Sequence, residues 1–264
     1  MAFIAVSGVA IHCRDEGPRD APVVLFANSL GSDLRIWDDV AGRLAATRRV
    51  VRYDKRGHGL SDAPPGPYSL ADQTRDALGL LDALGVDRFA MVGVSVGGLI
   101  AQAVALEAAA RLTSLVLVDS GAKIGTAEGW DARIAAVRDR GLASISRGIV
   151  AGWLTPAFRE ERPAEAAGWR NMLERTPRDG YLATCAMLRE SDLRDRAGAI
   201  RAPTLCVAGE HDATTPPALA RETAALIEGA RAETIPGAAH IPCIEKPAEV
   251  AALIEAHLSG ARHG

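Results

Sequence analysis

A serine between glycines, in the Gly-Val-Ser-Val-Gly stretch at residues 93–97, is the first candidate for chemistry in this chain. An apolar run at 89–92 predicts a buried strand before it, and residues 99–106 predict a helix after it. A serine on so sharp a strand-to-helix turn adopts a strained backbone that holds its hydroxyl clear of the sheet. Ser95 is therefore a predicted nucleophile, and the amide of Val96 is predicted to face a developing oxyanion. The alternative is a tight turn whose serine only caps the helix.

A serine hydroxyl is a weak nucleophile at neutral pH, so it needs a base, and the base needs an orienting carboxylate. His240 is the predicted base because it stands just past the last predicted strand, in Gly-Ala-Ala-His at 237–240. The carboxyl ends of parallel strands gather at that edge of a sheet, where active sites form. Its position also suits the chain order of serine, acid and histidine.

The other five histidines are less suited to be the base. Two of them, His12 and His263, are expected at the surface, in an N-terminal hairpin and the C-terminal tail. His257 lies near the end of the last predicted helix, where a cation favours the helix dipole. His211 stands next to the candidate acid, and His58 lies in a loop expected to pack near the site in a structural role.

The acid is expected between the serine and the histidine in the chain. Asp212 is the first choice because it follows a predicted strand at 204–208, which places it at the same sheet edge. Asp119 is the alternative, since it ends the strand that follows the nucleophile strand. Asp119 also suits a structural role, as a carboxylate that ties down the hinge into the next segment. Glu210 is a third choice.

A second oxyanion donor is expected from the loop after the strand at 22–27. The amide of Leu30 holds the position that would face the serine, and Gly31 gives the loop room to turn. Asn28 is expected to brace the loop with its side chain. The alternative for Leu30 is an ordinary strand-to-helix turn.

The composition predicts an ordinary soluble globular protein: of 264 residues, 48% are apolar and 24% charged, with a net charge of −3. Scattered arginines and this small charge predict neither a nucleic-acid nor a membrane partner. The N-terminus lacks the basic and apolar regions of a signal peptide. No apolar run approaches the ~18 residues that a membrane span needs.

The four cysteines lie far apart and form no C-x-x-C pair. We therefore expect reduced, mostly buried thiols and a cytoplasmic protein. The histidines never fall in an H-x-x-x-H arrangement, and we predict no metal site and no cofactor. The cysteines are Cys13, Cys185, Cys206 and Cys243.

Strand and helix patterns alternate along most of the chain and predict how the candidate residues meet. Eight strands are predicted, the first two as a hairpin, at 3–6, 9–13, 22–27, 49–53, 89–92, 114–118, 204–208 and 231–235. Helices are predicted at 33–46, 69–84, 99 to about 111, 217–227 and 247–257. Such alternation is typical of a mostly parallel α/β sheet with helices on both faces.

The buried-strand pattern stops between about residue 121 and residue 199. Helical patches separated by Gly and Pro replace it, at 130–140, 143–152, 163–175 and 179–188. A helical insertion between two sheet strands predicts a cap domain at 122–199 over a core at 1–121 and 200–264.

Five stretches together resemble the α/β-hydrolase superfamily over the whole chain. They are Asn-Ser-Leu-Gly at 28–31, Tyr-Asp-Lys-Arg-Gly-His-Gly-Leu-Ser at 53–61, Gly-Val-Ser-Val-Gly-Gly at 93–98, Gly-Glu-His-Asp at 209–212 and Gly-Ala-Ala-His at 237–240. The resemblance implies the α/β-hydrolase fold, with a mostly parallel eight-stranded sheet and an inserted helical cap. It also implies a Ser-His-Asp triad with no cofactor.

Within that superfamily, the chain is similar to the 3-oxoadipate enol-lactonases of aromatic-compound breakdown at 28–31, 120–130 and 237–242. That family usually has Leu or Met inside the serine turn, where this chain has Val94 and Val96. The resemblance implies that the serine opens a five-membered enol lactone through an acyl-enzyme, from which water releases 3-oxoadipate. The alternatives are another capped carboxylesterase, a cofactor-free perhydrolase or a non-enzymatic ligand sensor.

The implied lactone carries an acetate arm, which needs a cation or donors beneath the cap because a buried unpaired carboxylate is costly. Arg133 is the first choice and Lys123 the second, with the indole N–H groups of Trp130 and Trp153 as further donors. An arginine on a cap helix also suits a solvated face, and both tryptophans also suit the cap core. The expected partner is thus a small lactone, bound by a monomer or small homo-oligomer.

Overall fold

The computed structural model describes residues 1–260, and eight strands in this part of the chain form one sheet. The strands are β1 (Ala2–Val6), β2 (Val9–Glu16), β3 (Val23–Ala27), β4 (Arg49–Tyr53), β5 (Phe89–Val94), β6 (Leu112–Val118), β7 (Thr204–Gly209) and β8 (Arg231–Ile235). Their order across the sheet is β1-β2-β4-β3-β5-β6-β7-β8. Only the pairings of β2 with β1 and β4 are antiparallel, so the predicted mostly parallel sheet is confirmed.

β1 and β2 form the predicted hairpin, in which Val6 pairs with Val9. Ser7 (φ 50°) and Gly8 (φ 80°) make the two-residue turn between them. Positive φ at both positions matches the right-handed twist of the strands, which is why such turns connect hairpins. β2 continues into an antiparallel pairing with β4 and so joins the hairpin to the parallel part of the sheet.

The central strands are buried and bring their carboxyl ends to one edge. Every residue of β4, β5 and β7 is buried, as expected when helices cover both faces of a parallel sheet. β3 pairs in parallel with β4 and β5, and the parallel pairing continues through β6 and β7 to β8. The loops that follow these strands therefore meet at one edge, and the candidate functional residues lie there.

Helices connect the strands. They are α1 (Asp38–Leu44), α2 (Leu70–Ala83), α3 (Val96–Glu107), α4 (Ala127–Arg140), α5 (Ala143–Trp153), α6 (Pro156–Glu161), α7 (Pro163–Glu174), α8 (Arg178–Glu190), α9 (Arg194–Ala197), α10 (Pro217–Leu226), α11 (Pro242–Glu245) and α12 (Pro247–Gly260). α2 begins with the predicted cap at Ser69, whose side chain and backbone exchange hydrogen bonds with Asp72 in a capping box. The sequence patterns missed α6, α9 and α11, which are too short to show a helical period.

The predicted single helix at 33–46 is wrong, because a 3-10 turn at Leu34–Trp37 precedes α1. Asp33 caps this turn by accepting from the backbone N–H two residues later. Asp54, in the loop after β4, accepts from the backbone N–H of Leu34 at 2.8 Å. The two carboxylates hold the start of the segment in the tighter turn, and only the rest is an α-helix.

The helix after the serine turn ends at Glu107, four residues short of the predicted end at Arg111. The Arg111 guanidinium donates to the carbonyls of Val86 and Asp87, at 2.7 and 3.1 Å. These bonds hold Arg111 beside the start of β5, so β6 begins with the next residue.

Helices α4 to α9 fill the segment between β6 and β7, and the structure describes no strand there. The four predicted helical patches correspond to α4, α5, α7 and α8. Gly180 of α8 lies so close to Gly57 of the core that a Cβ on either residue would overlap the backbone of the other. The division into a core at 1–121 and 200–264 and a cap at 122–199 stays a prediction.

All four cysteines are buried and free, as predicted. Among the described helices, none has both the length and the apolar character needed to cross a bilayer.

Candidate active site

Ser95 stands in a strained turn between β5 and α3. Its φ of 56° and ψ of −121° are rare for a residue with a side chain, and such strain persists only where the surroundings impose it. Here its backbone N–H donates to the carbonyl of Val118 on β6 at 2.9 Å. Its carbonyl accepts from the hydroxyl of Ser120 at 2.7 Å. The side chain of Ser95 makes no capping bond to α3, so the helix-cap interpretation is wrong.

Glycines allow α3 to fold back over the sheet at this turn. A Cβ at Gly93 would overlap the carbonyl of Gly97, and a Cβ at Gly97 would overlap the carbonyl of Ala27 at the end of β3. The close approach brings the start of α3 against the loop that follows β3. Val96 is the first residue of α3, so its N–H belongs to the first turn, which has no carbonyl partner within the helix.

His240 and Asp212 form a buried hydrogen-bonded pair. Nδ1 of His240 donates to Oδ2 of Asp212 at 2.8 Å, and both side chains are at most 2% exposed. The hydroxyl of Thr215 also donates to Oδ2, at 2.6 Å, and the N–H groups of Thr214 and Thr215 donate to Oδ1. Burial acts to raise the pKa of Asp212, but the charge of His240 and these hydrogen bonds outweigh it and lower the pKa. Asp212 is therefore ionised and fixes the ring of His240.

Asp119 lies beside this pair and differs from Asp212 in protonation. It follows β6 with a φ of 42°, and its Oδ1 accepts from the N–H of Gly209 at 2.8 Å. Burial raises the pKa of Asp119 well above its usual range, and the charge of Asp212 raises it further. A carboxyl oxygen of each aspartate and a ring nitrogen of His240 lie within 4.8 Å of one another. Asp119 thus keeps a proton near neutral pH, and as a neutral carboxyl it does not repel the charge of Asp212.

Within the described chain, one group of residues has a spacing that could suit a metal ion, namely Asp119, Asp212 and His240. Nδ1 of His240 already donates to Asp212, and Asp119 holds a proton. Both features suit proton transfer better than cation binding, since a ligand must offer a free lone pair.

Ser95 and His240 line one small cavity of about 100 Å³. Leu30 and Ser29 form part of its wall, next to β3, and so does Thr214, close to the acid. The remaining lining comes from the segment between β6 and β7, namely Ile124, Trp130, Arg133, Gly148, Ile149, Gly152 and Trp153. The predicted nucleophile, base and oxyanion loop therefore meet under helices of the inserted segment.

The predicted cap residues have different surroundings. Arg133 lines the cavity with its guanidinium carbon 5.3 Å from the ring centre of Trp130. Its guanidinium also contacts the hydroxyl of Tyr181, and within residues 1–260 it forms no ion pair with a carboxylate. Trp153 lines the cavity too. Trp130 also does, but its indole N–H donates to the carbonyl of Ile124 at 2.7 Å, so the prediction of a free donor there is wrong. The prediction for Lys123 is also wrong: it lies outside the cavity lining and pairs with Asp192.

The structure shows that the predictions for two other histidines, His12 and His257, are wrong. His12 is buried, not exposed, and its Nδ1 lies 2.7 Å from Oδ2 of Asp54. His257 is also buried, and burial lowers its pKa, so it does not serve as the expected cation on the helix dipole. His58 is buried in a structural position, and burial lowers its pKa well below the usual range. His263 lies outside the described residues.

Sequence reasoning missed two residues that hold the base in place. Thr215 contacts both members of the pair, and its position three residues after Asp212 was the available signal, since such spacing favours a side-chain-bonded turn. Glu245 accepts from the N–H of Ala239, next to His240, at 2.6 Å. The same side chain accepts from the N–H and hydroxyl of Thr155, just after α5, at 2.8 and 2.7 Å. No local pattern predicts this link across 90 residues.

Known proteins that are similar to this chain in sequence and fold support this interpretation of the site. Residues 19–253 match the alpha/beta hydrolase family. The chain belongs to this family. The chain is 32% identical to 3-oxoadipate enol-lactonase 2 of Acinetobacter baylyi over 244 residues, which cover 92% of this chain and 91% of the relative.

Two further proteins are similar over most of their length. 3-Oxoadipate enol-lactonase 1 of Acinetobacter baylyi is 36% identical over 208 residues, 79% of this chain and 78% of the relative. The crystal structure of the enol-lactonase from Burkholderia xenovorans LB400 superposes with a TM-score of 0.95 at 36% identity, over 98% of this chain and 100% of the other. The predicted α/β-hydrolase fold and the resemblance to enol-lactonases are confirmed.

The substitution Asp119→Asn is expected to stabilise the protein at neutral pH. Because the folded pKa of Asp119 is raised, its carboxyl contributes fully to stability below the unfolded pKa of about 3.9 and loses that contribution as the pH rises toward the folded value. An amide has no proton to lose, so the gain in Tm should be small near about pH 4 and grow toward about pH 7. Thermal unfolding across this range measures it, with exposed Asp87→Asn as the control. If the substitution lowered Tm equally at the acidic and the neutral end of this pH range, Asp119 would not be protonated in the folded protein.

Proposed function

We propose that this chain hydrolyses 3-oxoadipate enol-lactone to 3-oxoadipate, through an acyl-enzyme on Ser95. The observation that carries the proposal is the single cavity shared by Ser95, the paired His240 and an arginine that has no carboxylate partner among residues 1–260. The similarity to two enol-lactonases over most of the chain supports the choice of substrate.

The reaction begins with attack on the lactone carbonyl. His240 removes the proton of the Ser95 hydroxyl as Oγ bonds to the carbonyl carbon, and the carbonyl oxygen becomes an oxyanion. The backbone N–H groups of Leu30 and Val96 stabilise this oxyanion, because donors fixed in place before the reaction need no reorganisation when charge develops. Asp212 holds the required tautomer of His240 and stabilises the imidazolium that forms.

Ring opening and hydrolysis complete the cycle. When the tetrahedral intermediate collapses, the ring C–O bond breaks and the leaving oxygen departs as an enolate. The proton that His240 took from Ser95 passes to the carbon of this enolate, which becomes a ketone and leaves His240 neutral. An enol is a better leaving group than an ordinary alkoxide, so little acid assistance is needed. Water activated by His240 then attacks the acyl-enzyme, and breaking the ester bond to Ser95 releases the dicarboxylate product.

Arg133 binds the acetate arm of the substrate in this proposal. A carboxylate loses much of its hydration beneath the inserted helices and needs a charged partner to offset that loss. Arg133 suits this role because it lines the cavity, stacks on Trp130 and lacks an acidic neighbour within the described residues. Its fork of N–H groups matches the geometry of a carboxylate. The helical segment at 122–199 acts as the cap that excludes water from this cavity.

We also assign the reaction to the cytoplasm, where reduced cysteines are the norm. Four buried cysteines without a disulfide support this assignment. A monomer or small homo-oligomer suits the proposal, since the residues that carry it come from one chain.

Ser95→Ala is expected to abolish turnover of the lactone, with kcat reduced by about 10⁴-fold or more because no nucleophile remains. Steady-state assays of lactone opening measure the loss, and circular dichroism establishes that the variant is folded. Ser144→Ala, at an exposed position in α5, is the control and should keep the wild-type rate. A folded Ser95→Ala enzyme that still turns over would remove the nucleophile assignment.

The two aspartates are expected to respond differently to the same substitution. Asp212→Asn should lower kcat by about 10⁴-fold, because an amide favours the wrong tautomer of His240. Asp119→Asn should lower kcat by less than about tenfold, since an amide still offers a neutral donor beside Asp212. Parallel kinetics on the two variants measure this difference. The reverse order of effects would make Asp119 the catalytic acid.

Arg133→Met is expected to raise the KM for the enol lactone by about 10- to 100-fold, which corresponds to one charge-assisted hydrogen-bonded contact. The KM for p-nitrophenyl acetate, a neutral ester, should change little. Arg138→Met, at an exposed position on the same helix, is the matched control. An equal rise for both substrates would mean that Arg133 does not bind the acetate arm, and rapid cleavage of the ester alone would favour a general carboxylesterase.

A further inference from the structure

Lys55 is a fully buried lysine that the mechanism above does not use. It follows β4 by two residues, and its relative exposure is 0%. Its ammonium donates to the carbonyl oxygen of Ser29 at 2.6 Å. Burying an ammonium is costly, so a lysine in such a place needs strong compensating contacts and often has a functional role.

The carbonyl that Lys55 contacts belongs to the peptide that supplies the proposed oxyanion donor. The C=O of Ser29 and the N–H of Leu30 are two ends of one peptide group, which is planar and points them in opposite directions. The same oxygen accepts from the hydroxyl and the N–H of Ser32, at 3.0 and 3.3 Å. Three donors therefore hold the carbonyl end of this peptide, while the residues on both sides of the bond line the cavity beside Ser95.

We propose that Lys55 is a positioning residue that orients and polarises the Ser29–Leu30 peptide so that the N–H of Leu30 stabilises the oxyanion. A cation on the carbonyl oxygen draws electrons from the peptide nitrogen and makes its N–H a stronger donor. Hydrogen bonds in such chains strengthen one another in a site of low dielectric constant. The inference rests on the proposed role of Leu30 but not on the identity of the substrate, since any acyl transfer on Ser95 forms the same oxyanion.

The charges around Lys55 predict how its effect varies with pH. Burial lowers the pKa of Lys55 to about 7, while the carboxylates of Asp54 and Asp33 act to raise it. His58 also faces Lys55, but burial and the charge of Lys55 lower its pKa well below the usual range, so His58 stays neutral near pH 7. Lys55 therefore carries its full charge below about pH 7 and loses it as the pH rises through that value.

Lys55→Met tests the proposal, because it keeps an unbranched side chain only one atom shorter and removes the charge and the donor. We expect kcat/KM to fall by about 10- to 100-fold, less than the roughly 10²- to 10³-fold cost of losing a whole oxyanion donor. KM should change less than kcat. The ratio of wild-type to variant activity should be largest near about pH 6 and shrink toward about pH 8, as the wild-type ammonium loses its proton. Lys246→Met, a half-buried lysine away from the cavity lining, is the matched control.

The affinity for a small alkylboronic acid separates the proposed role of Lys55 from a merely structural one, which would leave this affinity unchanged. Boron bonds to the serine oxygen and forms a tetrahedral anion, so its affinity reports stabilisation of the oxyanion. We expect Lys55→Met to weaken boronate binding by about the same factor as kcat/KM. Unchanged boronate affinity or unchanged kcat in the folded variant would overturn the proposal.

Ser32→Ala provides a second variant should Lys55→Met fail to fold. It removes the neutral hydroxyl donor from the same carbonyl and leaves Lys55 in place. We expect kcat/KM and boronate affinity to fall together by about two- to fivefold, as for one neutral hydrogen bond. Wild-type values for both would count against the proposal. All measurements are repeated with p-nitrophenyl acetate, so failure of the lactone as a substrate is distinguished from failure of the role of Lys55.

Discussion

The architecture of the site depends on a backbone contact that only glycine permits. α3 can approach β3 because Gly97 has no side chain to meet the carbonyl of Ala27, and Gly93 leaves the same room within the serine turn. That approach imposes the positive φ of Ser95 and sets the first turn of α3 beside the loop that follows β3. The strain at Ser95 is maintained by the bond that its N–H donates to Val118 of β6 and by the hydroxyl of Ser120, just after β6, so the turn depends on the sheet around it.

Two aspartates of equal intrinsic acidity acquire different charges in this setting. Asp212 accepts from His240, from the backbone N–H groups of Thr214 and Thr215 and from the hydroxyl of Thr215, and it remains ionised despite its burial. Asp119 has one backbone donor for its Oδ1, and no further hydrogen-bond partner for Oδ2 is found in the described chain. Two negative charges this close would be unstable in a buried site, so the carboxyl with more hydrogen-bond donors keeps the charge. The number of donors at each position thus decides which acid pairs with the base.

The sequence predicts those parts of the structure that local patterns determine. The serine turn, the N-cap at Ser69 and the eight strands along the chain depend on neighbours within a few residues, and these predictions are confirmed. The surroundings of single side chains depend on residues far along the chain. Lys123 lies outside the cavity and His12 is buried because Asp192 and Asp54 hold them there, and no periodic pattern contains that information. The catalytic roles themselves stay predictions.

A single carboxylate, that of Glu245, contacts both the inserted helices and the segment that carries His240. Glu245 accepts from the N–H of Ala239, the residue before His240, and from the N–H and hydroxyl of Thr155, just after α5. A second contact runs beside it, from the N–H of Ile241 to the carbonyl of Trp153 at 3.1 Å. A movement of this end of α5 would therefore displace the backbone on either side of His240. Coupling by direct hydrogen bonds means that the cavity wall and the imidazole of His240 cannot shift independently, so helices that cover a substrate in the proposed reaction would also hold this imidazole in place.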